Sequence, residues 1–160
     1  MHDLPYWRLS GYYFFYFAFV GAFSPYFGLY LQSLSFSAWD IGLLMSQMQL
    51  MRLCAPYIWG ALSDRLEQRV RIVRLAALLS LFGFLAFFVV QSFVAMLAAM
   101  ALLAFFWSAA LPLVETVTFD HLRDKPDQYS RIRLWGSIGF IVAVMGTGAL
   151  LDSMPLPRLL

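Results

Sequence analysis

Charged residues are scarce in this chain, and their scarcity excludes most soluble folds. Only 12% of the 160 residues are charged, whereas 62% are hydrophobic. Soluble domains are about one quarter charged and roughly half apolar. The apolar residues also occur in runs that are too long for the core of a small soluble domain. The composition therefore predicts an all-α membrane protein.

Residue clusters typical of enzymes and metal sites are missing as well. Cys54 is the single cysteine, which excludes a disulfide within the chain. The two histidines, His2 and His121, are far apart in the sequence. We find no serine-nucleophile elbow, no glycine-rich phosphate loop and no metal-ligand spacing. Basic residues are interleaved with acids and form no patch for nucleic acid. We therefore expect no enzyme, no cofactor, no metal and no nucleic-acid partner.

The long apolar runs predict five membrane-spanning helices with short connections. They cover approximately residues 9–31, 41–62, 72–90, 93–115 and 134–151. About 20 apolar residues in a helix cross the hydrocarbon core of a bilayer. Leu160 falls where a sixth helix would begin, so we expect the chain to be a fragment of a longer bundle.

Local signals add detail to these helices. Gly21 and Pro25 can bend the first one, because proline cannot donate a helical hydrogen bond. Ser37 or Asp40 can cap the second one. Small residues in the last span predict close packing against a neighbouring helix; they include Gly136, Gly139, Gly146 and Gly148.

The positions of lysine and arginine orient the bundle. The connections after the first and third spans contain neither residue. Basic residues gather before the first span and after the second and fourth, at Arg8, Arg65, Arg69, Arg71, Arg74, Arg123, Lys125, Arg131 and Arg133. Cytoplasmic loops carry the excess of lysine and arginine. These groups, and the N-terminus with them, are therefore expected on the cytoplasmic side.

Arg52 lies midway between Asp40 and Asp64, in the middle of the second span. It is roughly 18 Å from either end, where a charge costs about 2.5–3.5 kcal/mol. Gln49 and Pro56 share its helical face. Arg52 either packs against backbone carbonyls and a neighbouring helix or lies on a solute and proton pathway. On a pathway it would hold an anionic solute or pair with a carboxylate that takes up a proton.

Two other features are candidates for the same pathway. Tyr13 and Tyr16 share one face of the first span, and this face either packs or lines a cavity. Glu115 ends the fourth span. It is either an ordinary interfacial carboxylate or the partner of Arg131 or Arg133, and such a pair exchanges a proton as it forms and breaks.

The turn after the second span carries a recognisable motif. The pattern Gly60-x-x-x-Asp64-Arg65-x-x-x-Arg69 resembles the signature between helices 2 and 3 of the major facilitator superfamily, and Leu62 also fits it.

The match has departures. Glu67 and Gln68 stand where the family usually has a glycine and a basic residue. The resemblance implies a twelve-helix transporter of two six-helix halves, with its site at the midplane. This chain would cover most of the first half and lack helix 6 and the C-terminal half. In the family, the aspartate and arginine of this turn hold the halves closed on the cytoplasmic side. The resemblance implies the same role for Asp64 and Arg65 in this chain. It also implies that Gly60 allows a neighbouring helix to approach closely.

A narrower resemblance lies between the last two spans. Pro112-Leu-Val-Glu115 and the stretch from Tyr129 to Phe140 look like the phenylpropionate permease-like branch, which is akin to the lactose permease and nucleoside–proton symporters. It implies proton-coupled uptake of a small organic solute, such as an aromatic or other carboxylate, across a bacterial cytoplasmic membrane. The alternatives are efflux or exchange on the same fold, or a small membrane subunit that does not transport.

Overall fold

The described part of the chain is mostly helical. The computed structural model describes residues 5–122 and 127–152. Its helices are α1 (Tyr6–Phe23), α2 (Phe27–Ser33), α3 (Ala38–Leu66), α4 (Arg69–Ala86), α5 (Phe93–His121) and α6 (Asp127–Leu151). The predicted all-α fold is confirmed. Arg123 and Lys125, which contribute to the predicted orientation, lie outside the described residues.

The helices divide into two compact units. One contains the described residues up to Ser33 and those from Thr118 on, and therefore α1, α2 and α6. The other contains Leu34–Val117, and therefore α3, α4 and most of α5.

In the first unit, the predicted bend near Pro25 is a full break between α1 and α2. Pro25 has no N–H group to continue the α1 ladder. The turn is instead closed by the N–H of Tyr26, which donates to the carbonyl of Phe23 across 3.3 Å. The regular pattern resumes when Tyr30 donates to the carbonyl of Tyr26 across 3.1 Å. The first predicted span is thus two helices in sequence.

Glycines bring α1 and α6 into backbone contact. A Cβ atom added to Gly21 would lie 2.6 Å from the carbonyl oxygen of Phe140. One added to Gly139 would overlap the carbonyl oxygen of Phe14. Glycine is needed at both positions because any side chain would push the helices apart.

The predicted packing role of the other glycines in α6 is partly confirmed. Added Cβ atoms would lie 2.7 Å from the ring of Phe17 at Gly136 and 2.8 Å from the hydroxyl of Tyr26 at Gly148. At Gly146 an added Cβ would meet no atom of the described residues within 4 Å, so the described helices make no such close contact there.

In the second unit, a capping box starts α3. The N–H of Asp40 donates to Ser37 Oγ across 3.2 Å, and the N–H of Ser37 donates to Asp40 Oδ2 across 3.2 Å. The predicted cap is confirmed, with both residues taking part. At the other end of α3, Glu67 adopts a left-handed conformation with φ of 51° and closes the helix. Further along this unit, Gly83 of α4 lies against the backbone of Leu103 in α5.

Several helix ends differ from the predicted span ends. α4 ends at Ala86, so the last residues of the predicted span 72–90 form a turn instead. The polar residues after Glu115, which we expected to form a connection, continue α5 as far as His121. α6 begins at Asp127, before the predicted span 134–151. Polarity marks where a chain leaves the apolar layer, whereas backbone hydrogen bonding decides where a helix stops.

Within the described residues, three segments are long and apolar enough to cross a membrane: Tyr6–Ser33, Phe93–His121 and Asp127–Leu151. The two other long helices, α3 and α4, are not among these segments. α3 has Arg52 in its middle, and α4 begins with Arg69, Arg71 and Arg74.

Candidate functional site

Arg52 lies on an exposed face of α3. Its Nη1 atom donates a hydrogen bond to Oε1 of Gln49 across 3.2 Å, and both side chains are exposed. The two residues therefore share one face, as their spacing predicts. Among residues 5–122 and 127–152, Arg52 forms no ion pair with a carboxylate. The planar guanidinium keeps donors for a carboxylate or phosphate ligand, which it can hold through two parallel bonds.

Gln47 is a polar residue of α3 that the sequence analysis missed. Its side-chain oxygen is buried and has no hydrogen-bond donor among the described residues. A buried, unpaired amide oxygen is costly, so it is suited to receive a donor from a ligand or water. The sequence contains a signal for this burial, because the apolar residues Leu44 and Met51 lie three positions before and four positions after Gln47, on the same helical face.

Trp59 was also missed. It is buried on α3, and its indole Nε1 donates to the carbonyl oxygen of Phe105 in α5 across 2.9 Å. The ring also packs against Phe105 and Phe106, with centroid distances of 5.2 Å and 5.7 Å. Trp59 therefore fixes the helix that carries Arg52. Its spacing of seven residues from Arg52 places both on one side of α3.

Tyr13 is completely buried in the first unit. Its hydroxyl lies 3.3 Å from Oγ1 of Thr118, which is also fully buried. Tyr13 is therefore packed among the described residues, and its place on a solute pathway stays a prediction. Tyr16 is only partly buried and stacks on Tyr12 with a centroid distance of 6.2 Å. Tyr16 is thus the more accessible of the two tyrosines.

Arg133 of α6 rests on the aromatic residues of α1. Its guanidinium carbon lies 4.1 Å from the ring centre of Phe17 and 5.6 Å from that of Tyr13. Cation–π contacts of this kind stabilise an arginine where little water is present. Gly136 leaves room for the side chain, because a Cβ added there would lie 3.1 Å from Arg133 Nη1.

Glu115 is a partly buried residue inside α5. The predicted span boundary put Glu115 at the end of this helix. Because α5 continues to His121, Glu115 instead lies well within the helix. It belongs to the unit of α3–α5, whereas Arg131 and Arg133 belong to the other unit. The pairing of Glu115 with either arginine stays a prediction.

The motif between α3 and α4 is mostly helical. α3 continues through Gly60, Asp64 and Arg65 and ends at Leu66. Asp64 Oδ1 and Arg69 Nη2 lie 3.9 Å apart, and 75% of the Asp64 side chain is exposed. A Cβ added to Gly60 would meet no atom of the described residues within 4 Å. The close approach expected at Gly60 is therefore not made by the described helices.

Titratable metal ligands do not gather in this part of the chain. Within the described residues, no three His, Cys, Asp or Glu side chains lie close enough together to hold a metal ion. The chemistry that the described residues offer is hydrogen bonding and charge recognition by arginine, glutamine and tyrosine.

Comparisons with known proteins agree on one family. Residues 6–159 match the model of the MFS_1 like family. A maltose permease of Geobacillus stearothermophilus is 33% identical over 143 residues, which make up 88% of this chain and 36% of the permease. A protein of Escherichia coli (strain K12) named "probable 3-phenylpropionic acid transporter" is 25% identical over 144 residues, 90% of this chain and 38% of that protein.

The fold is also that of a solved transporter. The crystal structure of the nucleoside transporter NupG superposes with a TM-score of 0.86 at 21% sequence identity, over 98% of this chain and 39% of that chain. The likeness therefore includes α3 and α4 as well as the three more apolar segments. The chain spans less than half the length of each of these proteins.

Proposed function

The chain belongs to the MFS_1 like family of the major facilitator superfamily, and from this premise we propose that it forms most of the N-terminal half of a secondary transporter. It is an integral, multi-pass membrane protein. The activity that we propose is proton-coupled uptake of a small organic acid. The membrane is the cytoplasmic membrane of a bacterium, in keeping with the bacterial sources of the relatives.

Arg52 is the observation that carries this proposal. It lies mid-way along α3, is exposed, and has an amide as its hydrogen-bond partner. A charge in the middle of a membrane helix is costly unless a partner neutralises it. A solute carboxylate would neutralise the guanidinium during binding, and Gln49 would orient the guanidinium towards the solute. A sugar such as maltose has no charge to offer, so Arg52 favours an acid over a neutral sugar.

Glu115 is the carboxylate that we assign to proton coupling. It is partly buried in α5. In the proposed mechanism, Glu115 exchanges its proton as an ion pair with an arginine forms and breaks. Arg133 is the arginine that we assign to this role, and the rings of Phe17 and Tyr13 hold it in place. Tyr16 completes the group as a partly exposed aromatic side chain for an aromatic solute.

The second half of the transporter is the partner that we propose for this chain. The chain covers 36% of the maltose permease and 38% of the phenylpropionic acid transporter. A second six-helix half would supply the other wall of the solute cavity. Asp64 and Arg65 would close the cytoplasmic side against it. Gly60, which has open space beside it, would receive a helix of that half.

A transport assay with the full-length protein tests the proposal. Vesicles that contain the protein are given an inward proton gradient in the presence of labelled 3-phenylpropionate or labelled maltose. We expect the acid to accumulate and the accumulation to stop when a protonophore removes the gradient. Depletion of the acid would identify an efflux or exchange transporter instead. Absence of movement of both solutes, with the protein folded, would contradict a transport function for these solutes.

A further inference from the structure

The side chain of Arg133 runs along α6 in an unusual direction. Its Nη1 atom lies 3.1 Å from the point that a Cβ of Gly136 would occupy, beside the turn that follows Arg133. Long side chains of a helix normally point back over the preceding turn, towards the helix N-terminus. In α6 the usual direction leads towards the polar start of the helix at Asp127. The guanidinium of Arg133 lies on the other side of its own backbone position.

This direction leads into the apolar part of α6. The segment Asp127–Leu151 is apolar enough to cross a membrane, and its charged residues all precede Leu134. An arginine near the end of a membrane helix normally snorkels, so that its charge stays at the interface. With the start of α6 on the cytoplasmic side, as the basic residues predict, snorkelling would carry the guanidinium out to the cytoplasm. The observed direction carries it inward, where a charge is costly.

The ring of Phe17 offsets part of this cost. The guanidinium carbon of Arg133 lies 4.1 Å from the centre of this ring and 5.6 Å from that of Tyr13. Phe17 comes one turn after Tyr13 in α1, so the nearer ring is the one further from the predicted cytoplasmic end of α1. A cation over an aromatic face is stabilised most where water is excluded. The inward position of the charge therefore depends on this ring.

Gly136 leaves the space in which the guanidinium and the ring meet. A Cβ added to Gly136 would lie 2.7 Å from Cδ2 of Phe17 and 3.1 Å from Nη1 of Arg133. Both of these atoms belong to side chains, whereas a Cβ added to Gly139 would meet the backbone of Phe14. A methyl group at Gly136 would therefore displace the guanidinium and the ring and leave α1 in contact with α6. Its main effect would fall on Arg133.

We propose that Gly136 is a positioning residue for Arg133. Because Gly136 has no side chain beside the Phe17 ring, the guanidinium can turn away from the cytoplasmic interface and lie on the solute and proton pathway. The inference rests on the role in transport that is proposed above for Arg133, and it adds the residue that determines where this charge lies. With any other residue at this position, Arg133 would be an ordinary interfacial arginine.

The position of Arg133 is measured first, and without transport. The full-length protein is labelled at its arginines and studied by NMR in detergent, and the Arg133 side-chain signal is assigned by its loss in Arg133→Lys. Protons over an aromatic ring are shifted upfield, so this signal should differ from that of the exposed Arg74. We expect Gly136→Ala to move the Arg133 signal to the position of the Arg74 signal. Gly148→Ala is the matched control and should leave it unchanged, because its Cβ would lie 2.8 Å from the Tyr26 hydroxyl, twelve residues further along α6.

Uptake by the full-length protein tests the consequence of this position. At equal amounts of protein in the membrane, Gly136→Ala should lower the uptake rate of 3-phenylpropionate about tenfold, because the guanidinium loses its cation–π contact. Gly148→Ala should transport normally. Fluorinated phenylalanines in place of Phe17 separate charge recognition from packing, because each fluorine weakens the negative face of the ring and hardly changes its size. Uptake should fall with each added fluorine.

Three results would overturn the proposal. The first is an Arg133 signal that is the same in Gly136→Ala as in the unmodified protein. The second is a displaced Arg133 signal with normal uptake, which would show that transport does not need the inward position. The third is uptake that does not depend on fluorination of Phe17, which would leave the ring a packing role. Failure of the proposed function gives a different result: the unmodified protein transports neither solute, and the NMR comparison still decides whether Gly136 positions Arg133.

Discussion

The hydroxyl of Tyr26 donates a hydrogen bond to the backbone carbonyl oxygen of Val144 across 2.8 Å. Tyr26 follows the break between α1 and α2, and Val144 lies in the second half of α6. The same hydroxyl occupies the space beside Gly148, where an added Cβ would lie 2.8 Å from it. One side chain thus ties the broken first span to the last helix of the same unit.

This bond predicts a small and specific loss of stability in Tyr26→Phe. The substitution removes the hydroxyl and leaves the ring, so the free energy of unfolding should fall by about 0.5–1.5 kcal/mol. Thermal or denaturant unfolding of the chain in detergent measures it. Tyr57→Phe is the control, because Tyr57 is 82% exposed. Equal effects of the two substitutions would show that the Tyr26 bond contributes nothing particular.

Two glycines of α6 should respond to alanine with opposite signs. At Gly139 a new Cβ overlaps the carbonyl oxygen of Phe14, and backbone atoms cannot move aside without parting α1 and α6. We expect Gly139→Ala to destabilise the chain by about 1–3 kcal/mol. At Gly146 the space is open, so Gly146→Ala should stabilise it by up to about 1 kcal/mol through helix propensity. The unfolding experiment above measures both. A similar response at the two positions would contradict the close contact of α1 with α6.

The features of the fold that sequence predicts well are those with local causes. The break at Pro25 follows from a missing N–H group, and the cap at Ser37 follows from a side chain three positions from Asp40. The end of α4 at Ala86 has no such mark. The residues from Phe87 to Val90 are as apolar as the helix before them, so hydrophobicity alone predicts that the helix continues to Val90.

The candidate site likewise has some features that the sequence predicts and others that it does not. The contact between Gln49 and Arg52 follows from a spacing of three residues on one helix. The burial of Tyr13 does not follow from its own helix, because Tyr13 and Tyr16 have similar neighbours in the sequence. The difference between them comes from Thr118 and Arg133, which are more than 100 positions away in the chain. Contacts between residues so far apart in the sequence can be identified only from the three-dimensional structure.

Asp64→Asn in the full-length transporter should separate a gating role from a structural one. The Asp64–Arg69 distance of 3.9 Å and the exposure of Asp64 make the pair a weak contributor to stability, below about 1 kcal/mol. Unfolding should therefore be unchanged. If the charge of Asp64 holds the cytoplasmic side closed, uptake of solute should fall by about tenfold, the value of one charge-assisted hydrogen bond.

Asp127→Asn is the control for this charge. Asp127 is an exposed acid in the first turn of α6 and lies outside the motif, so uptake should stay at the level of the unmodified protein. A loss of stability in Asp64→Asn that accounts for the loss of uptake would instead assign Asp64 a structural role.

Arg52 gives the sharpest functional prediction. Arg52→Ala and Arg52→Lys should both abolish uptake while the protein still inserts into the membrane. Lysine keeps the positive charge but loses the planar fork that binds a carboxylate through two bonds. The loss of two charge-assisted bonds, at about 1.5–3 kcal/mol each, lowers the uptake rate at least about a hundredfold. Arg74→Lys makes the same substitution at an exposed position outside the pathway and should transport normally. Normal uptake by either Arg52 variant, at equal amounts of protein in the membrane, would remove Arg52 from the pathway and leave it a packing role.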